Sequence, residues 1–464
     1  MKLRIIDDLG PEDLAMLQAL YSRSPESVDV HLDKVKSTGS GKFMEKYYVG
    51  YSHKSIADCG TTTMFIEGVS LLAAKAIQDW PLYSGQETST RYIDMSKQRI
   101  VDPVGTPESK AILDAWMSFY KENQGRVAET IMQRYPRRPD EKPELYERAV
   151  KARTFDTLRG FLPAGITTQL SWHTNLRQAG DHLSWLLGHP SIEIAAAARE
   201  LRDLLAMRYK SSGFDRDMAA VSGISNKDAQ ASTARANWEM QIAQQFTYSA
   251  MHGLPSGFEM TLITTNGRPL ELLVGARNAA LDPYMEMLKT RPRGCVLPHF
   301  MADLGQFTLE SLLDFGSFRD LQRHRNGVCR MPLLSTDYGF ERWYLDQLNE
   351  DGRENMRGDL RDQAVDLIRA QTDRIQAISP DPVVRQYYTA LGFRVPCQVT
   401  YALPAFLYVL ELRSGKMVHP TLRRLMHSAV HMFQKIHPDI ALHADLDPDD
   451  WDVRRGTQTI LERK

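Results

Sequence analysis

Ala302-Asp303-Leu304-Gly305 leads through Phe307-Thr308-Leu309 into a stretch with Leu312, Phe315, Phe318 and Leu321 at helical spacing, an order met much earlier in the chain. There, Ala57-Asp58-Cys59-Gly60 precedes a threonine-rich apolar run through Ile66 and a helical stretch from about Val69 to Trp80. Downstream, His189-Pro190-Ser191-Ile192 has a counterpart in His419-Pro420-Thr421-Leu422, each ahead of a helix with a core-facing apolar stripe. Two correspondences in the same order, about 230 to 245 residues apart, read as a tandem duplication. The predicted class is α+β: two tandem domains, each a mixed sheet with long helices. The copies are expected over residues 1–215 and 256–464, joined by a linker region over 216–255.

Length agrees with this division, because 464 residues exceed one ordinary core and favour two domains of roughly 200 residues. The 42% hydrophobic and 25% charged residues fall near the globular average and exclude a disordered, collagen-like or disulfide-scaffold chain. Lys+Arg 57 against Asp+Glu 58 writes no overall attraction to nucleic acid or an anionic membrane into the composition. The amino terminus carries acids where a signal peptide needs an apolar stretch, so a cytoplasmic protein is expected. Cys59, Cys295, Cys329 and Cys397 are widely separated with no CxxC pair, which predicts reduced thiols and no metal site.

Both helices and strands are predicted in each half. Met260–Thr265 and Leu270–Val274 flank Asn266-Gly267, a hairpin signal, with Pro269 arguing for an edge strand. Long helical runs cover Ile192–Arg208, Arg357–Ala377 and Pro420–Ile436. The polar stretch Ser211–Ala236 suits a joint between copies, and the proline-rich segment 135–149 reads as a solvated excursion. No GxGxxG or GxxxxGK[ST] loop indicates a dinucleotide or P-loop fold.

Four places could carry chemistry. Ser84-Gly85-Gln86-Glu87-Thr88-Ser89-Thr90-Arg91-Tyr92 concentrates hydroxyls, an amide, a carboxylate and a guanidinium, an inventory that suits a phosphorylated small molecule or an ordinary polar loop. Arg323-His324-Arg325 could fork onto a pyrophosphate or simply complement a helix end. His53 is a lone histidine, and such a residue is usually structural. Arg177 follows an apolar, threonine-rich run; it could need an anion partner or cover apolar neighbours with its stem.

Together these residues resemble the flavin-dependent thymidylate synthases, whose signature is RHRxxSxNExSxRY, followed by an LP segment and an NxR motif. Ser84 to Tyr92 matches SxNExSxRY with Gln86 in place of Asn, while Leu162-Pro163 and Asn175-Leu176-Arg177 match the downstream motifs. His53 to Asp58 resembles the family's histidine segment. The resemblance covers residues 40–210 well. Where the family has RHR, however, the first copy has Asp79-Trp80-Pro81; the second copy keeps Arg323-His324-Arg325 but continues Asn326-Gly327-Val328-Cys329 and loses the nucleotide half. The losses are complementary.

The resemblance implies reductive methylation of dUMP to dTMP, with FAD as cofactor and NADPH and methylenetetrahydrofolate as co-substrates. It implies no protein nucleophile. Ser84, Gln86, Glu87, Ser89 and Arg91 would bind the nucleotide, Arg177 would contact and activate the pyrimidine, and His53, Arg323, His324 and Arg325 would hold FAD. It further implies a homodimer that rebuilds the family's tetramer as a pseudo-tetramer, with no nucleic-acid or membrane partner. Two other readings share these residues: modification of another pyrimidine nucleotide, such as hydroxymethylation, and a non-catalytic homologue that binds nucleotide or flavin.

Overall fold

The computed structural model describes residues 4–51, 53–215, 238, 270–274, 281–349, 359–449 and 451. The fold is α+β, and it gathers into two compact units. One draws on Met1–Val69, Ala73–Glu87 and Gln169–Ser249, the other on Ser70–Leu72, Thr88–Thr168 and Ala250–Lys464. These units cut the chain differently from the expected copies, because Thr88–Thr168 packs with the C-terminal residues.

Most of a two-stranded sheet, β1 (Thr61–Ser70) and β2 (Thr167–Asn175), belongs to the first unit. Alternation along β2 turns Leu170, Trp172 and Thr174 inward, and the helices Leu176–Leu187 and Ile192–Arg208 pack together beside it. Asn175 ends the strand and caps the next helix, accepting from the Gln178 amide at 2.8 Å.

The second unit holds a four-stranded sheet in the order β3 (Leu270–Val274), β4 (Gln306–Asp314), β6 (Arg394–Ala402), β5 (Gly327–Arg330). Among the described residues its pairings are antiparallel. Among the described residues β3 is an outer strand of this order; Pro269 and Met260–Thr265, the expected hairpin partner, lie outside the described residues. β6 is central, and its Val395, Cys397 and Val399 are buried with Phe307, Leu309 and Leu313 of β4. The Pro107–Glu122 helix, opened by a Thr106–Ser109 capping box, packs on the Leu360–Ile378 helix, and its Trp116 donates to the Tyr388 carbonyl at 3.0 Å.

Several boundaries differ from the sequence reading. The helical runs at Val69–Trp80 and from Leu312 are shorter, because Ser70 and Leu312 still belong to strands; the helices are Leu71–Gln78 and Phe315–Gln322. A strand feeding directly into a helix leaves no turn between them for periodicity to detect. Segment 135–149 is only partly an excursion: the helix Pro143–Leu158 begins inside it and buries Tyr146 and Ala149. Ile192–Arg208 and Pro420–Ile436 are helices over the expected residues, and the third expected run is helical over Leu360–Ile378.

The order of elements recurs. The series Lys54–Cys59, β1, Leu71–Gln78, Arg159–Phe161, β2, Leu176–Leu187, Ile192–Arg208 returns as His299–Leu304, β4, Phe315–Gln322, Gln386–Tyr388, β6, Leu403–Arg413, Pro420–Ile436. Within the second unit the two series meet reciprocally. The Ala164 amide donates to Thr389 O and the Leu391 amide to Leu162 O, both at 2.9 Å. The Gly165 amide donates to Tyr387 O at 2.9 Å, and the Gly392 amide to Gly160 O at 2.7 Å. Exchange of equivalent bonds between equivalent segments is the mark of a two-fold interface, here inside one chain.

Candidate functional site

In the second unit Arg91, near the end of the signature stretch, is half-buried. Its Nε donates to Asp156 Oδ1 at 2.7 Å and its Nη2 to Asp156 Oδ2 at 3.2 Å, a two-pronged pair whose side chains are 11% and 1% exposed. Nη1 reaches the Met417 carbonyl at 3.2 Å, beside the N-terminus of the Pro420–Ile436 helix. His419 ties the same region together: its Nε2–H donates to Asp156 O at 3.2 Å while Nδ1 accepts from Thr421 Oγ1 at 2.9 Å. Ser89 accepts from the Arg91 amide at 3.2 Å.

The C-terminal motif approaches from the end of the Phe315–Gln322 helix. Arg323 is exposed, with Nη2 3.5 Å from Asp320 Oδ1; Arg159 is buried, with Nη1 3.9 Å from Asp320 Oδ2 and Nη2 3.8 Å from Asp314 Oδ2. Arg413 donates from Nη2 to the Asp320 carbonyl and from Nε to His324 Nε2, both at 2.7 Å. Burial works to raise the Asp320 pKa, but Arg323, Arg159, Arg91 and Arg413 outweigh it and hold it at about 2. Arg91 and the Arg323-His324-Arg325 segment therefore share one electrostatic centre.

The histidines there are neutral. Burial, then Arg413, pushes His324 down to about 3, so its ring accepts from Arg413 instead of adding a third cation. Burial and then Arg159 and Arg91 push His419 well below its ordinary value. Burial raises Asp314 despite Arg159; its Oδ2 caps the Ser317 amide and accepts from Tyr344 O–H, both at 2.9 Å.

The other predicted residues lie in the first unit. The Ser84 carbonyl accepts from the His173 amide at 2.7 Å and the Gln86 carbonyl from the Ser171 amide at 2.8 Å, so this part of the loop runs along β2. The Ser84 and Gln86 side chains are exposed, and Glu87 accepts from Gln78 Nε2 at 2.8 Å. Gly85 permits this approach, because a Cβ there would stand 1.9 Å from Ser171 O. Arg177, on the first turn after the Asn175 cap, binds Asp58 at 2.6 Å and lies 3.6 Å from Asp181. The Asp58 hydrogen bond raises its pKa, and burial with Asp181 pushes Tyr48 up to about 12. His53 is exposed, accepting on Nδ1 from Arg23 at 3.1 Å. Trp80, in the segment standing where RHR was sought in the first copy, stacks on His182 and donates to Gln178 at 2.8 Å. That position is filled by packing.

Residues 4–210 match the family described as thymidylate synthase complementing protein. This segment belongs to that family. The chain is also similar to three UPF0159 proteins. That of Chlamydia pneumoniae is 22% identical over 451 residues, covering 89% of this chain and 81% of the relative. That of Thermoplasma acidophilum is 22% identical over 484 aligned positions, covering 92% and 94%. That of Chlamydia muridarum is 23% identical over 437 residues, covering 85% and 79%. The likeness to these relatives extends well beyond the thymidylate synthase complementing segment.

Within that segment, Ser89 and Arg91 fall in one unit and His53, Ser84, Gln86, Glu87 and Arg177 in the other. Asp320 feels the positive charge of both Arg91 and Arg323, and the Arg323 motif lies outside the family segment. Sequence reading missed Asp156, Arg159, Asp314, Asp320 and Arg413, and saw His419 only as a repeat marker. Their one available signal was an excess of charged residues in otherwise apolar runs, such as Phe315–Gln322. All four cysteines are free thiols. Among the described residues, no cluster of His, Cys, Asp and Glu suits a metal, and no helix is long and apolar enough to cross a membrane.

Proposed function

We propose that this chain arose by tandem duplication and acts as a FAD-dependent, thymidylate synthase-like methyltransferase that converts dUMP to dTMP with methylenetetrahydrofolate and NADPH. The observation that carries the reading is that Arg91, from the nucleotide motif kept by the first copy, and Arg323, from the RHR motif kept by the second, act on one carboxylate, Asp320. Decay of two copies without a shared task has no reason to keep complementary halves side by side.

The donor set fits phosphate: guanidiniums are the side chains best shaped to fork onto phosphate oxygens, and Arg323 is open to solvent. Ser89 and Arg91 would bind the nucleotide phosphate, with Asp156 fixing the Arg91 fork. Arg323, His324 and Arg325 would hold the phosphates of FAD, which when bound supplies the redox chemistry. Neutral His324 would donate from Nδ1, because Nε2 is taken by Arg413. In the first unit, His53 is proposed to contact the flavin, Ser84, Gln86 and Glu87 to shape the nucleotide site, and Arg177 to offset negative charge developing on the pyrimidine. Two chains are proposed to pair as a homodimer.

The test is the visible spectrum of the purified chain with added FAD, followed by product analysis after dUMP, NADPH and methylenetetrahydrofolate are supplied. Bound flavin with dTMP formed supports the proposal; bound flavin with a hydroxymethylated nucleotide selects the other pyrimidine chemistry. A chain that binds dUMP but neither takes up flavin nor turns over is the non-catalytic homologue.

A further inference from the structure

Arg413 ends the helix Leu403–Arg413 with two bonds of 2.7 Å, from Nε to His324 Nε2 and from Nη2 to the Asp320 carbonyl. A guanidinium carries donors and no acceptor, so Nε2 is the bare nitrogen and the imidazole proton sits on Nδ1. Among the described residues no hydrogen bond of His324 Nδ1 is seen, and the Tyr408 ring meets the imidazole edge to face at 6.0 Å between centroids. The N–H that His324 can offer is therefore set by a residue of another helix.

The two copies differ at this place. Their reciprocal backbone bonds make Ala164 the equivalent of Leu391 and Gly165 that of Gly392; carried forward through β2 and β6, this register puts Leu186 where the second copy has Arg413. Counted from the strand ends Ser70 and Asp314, Trp80 stands where the second copy has His324. Leu186 is buried in the core, so a leucine satisfies the packing of this helix. Burial works against the charge of Arg413 and lowers its pKa, so packing gives no reason for a guanidinium there. Imidazole and guanidinium occur together in one copy, and both are absent from these places in the other.

We propose that Arg413 is a positioning residue that holds His324 as the neutral Nδ1–H tautomer, so that Arg323-His324-Arg325 presents a fixed donor to the FAD phosphates whatever the pH of the solution. This rests on reading that segment as the place of the FAD phosphates. The charged groups that face His324 are Arg413 from its own helix and Asp320, Arg323 and Arg325 beside the ring. Burial, then Arg413, keeps the imidazole neutral, and Asp320 opposes them. Without Arg413 the ring would be free to exchange tautomers and to take up a proton nearer its ordinary value. Phosphate affinity would then fall as pH rises and the imidazolium is lost, whereas a fixed N–H gives a flat profile.

The experiment records imidazole ¹⁵N resonances of the histidine-labelled full chain, with the His324 signal located by its loss in His324→Gln, and FAD affinity by fluorescence titration from pH 5 to 8. The native chain is expected to show a bare Nε2 and a protonated Nδ1 that do not titrate in this range, with a flat FAD affinity. In Arg413→Met, His324 should titrate within the range, and FAD affinity should fall by about tenfold between pH 5 and 8. Arg413→Lys, which keeps a cationic donor, should restore the single tautomer and the flat profile. A merely structural role would lower stability and leave tautomer and pH profile as they are. The proposal is overturned if native His324 carries its proton on Nε2 or titrates between pH 5 and 8, or if Arg413→Met leaves either its spectrum or the pH profile of FAD binding unchanged. If Arg413→Met does not fold, the native spectrum and Arg413→Lys decide. The spectra need no flavin, so a chain that takes up no FAD would sink the proposed activity while leaving the tautomer result to stand or fall by itself.

Discussion

Replacing Asp156 with alanine removes the partner of Arg91 and leaves a guanidinium whose side chain is only 11% exposed. Breaking a buried pair from one side is worth about 3 kcal/mol, whereas an exposed pair is worth under about 1 kcal/mol. The two short bonds and the 1% exposure of Asp156 put this pair in the first class. A chain of two compact units has no single unfolding free energy, so the readout is native-state hydrogen exchange of the β4 and β6 amides in the second unit. Three kcal/mol corresponds to exchange faster by roughly 150-fold. The double variant Asp156→Leu, Arg91→Met should recover part of the loss, because Arg91 is then no longer left without its carboxylate, while Arg159 still loses the attraction of Asp156. Acceleration below about fivefold in Asp156→Ala would refute the argument, since the pair would then behave like a surface contact.

Burial lowers His182 to about 4, and burial with Lys75 lowers His189 to about 3. Both titrate near 6.5 when unfolded, so the unfolded chain takes up protons first; stability is full above that value and falls as pH drops toward the folded pKa values. The pair should cost the first unit about 3 kcal/mol between pH 6.5 and 5, visible as a falling urea midpoint, and a flat profile would contradict it. Gly85→Ala should push the signature loop off β2 at about 1 to 3 kcal/mol, because its Cβ would meet Ser171 O; unchanged exchange at the Ser171 and His173 amides would count against this. Arg323→Ala should weaken FAD binding at least tenfold with little change in stability, given its exposure, measured by flavin titration beside thermal melting.

The parts legible in sequence were those with a local cause. Helices Ile192–Arg208 and Pro420–Ile436 declare themselves by an apolar stripe behind a His-Pro start. The recurring order of elements followed from the paired Ala-Asp-x-Gly and His-Pro segments. The regrouping of Thr88–Thr168 was not legible, because it depends on packing of Trp116 and on backbone bonds between residues 160–165 and 387–392, to which side-chain pattern is blind. Asp156, Arg159, Asp320 and Arg413 were hidden for a related reason. A buried charge is tolerated only beside its partner, and these partners are brought together by the fold, not by sequence spacing.

The central claim is that the motif halves kept by two copies serve one flavin-dependent reaction. Its most direct measurement is the absorption spectrum of the purified chain loaded with FAD, bleached with NADPH, and followed through product analysis with dUMP and methylenetetrahydrofolate. The account predicts a bound flavin that is reduced and a pyrimidine product that is lost in both Arg91→Ala and Arg323→Ala. A chain that remains colourless at saturating FAD, or two variants that keep full flavin and full turnover, would contradict it.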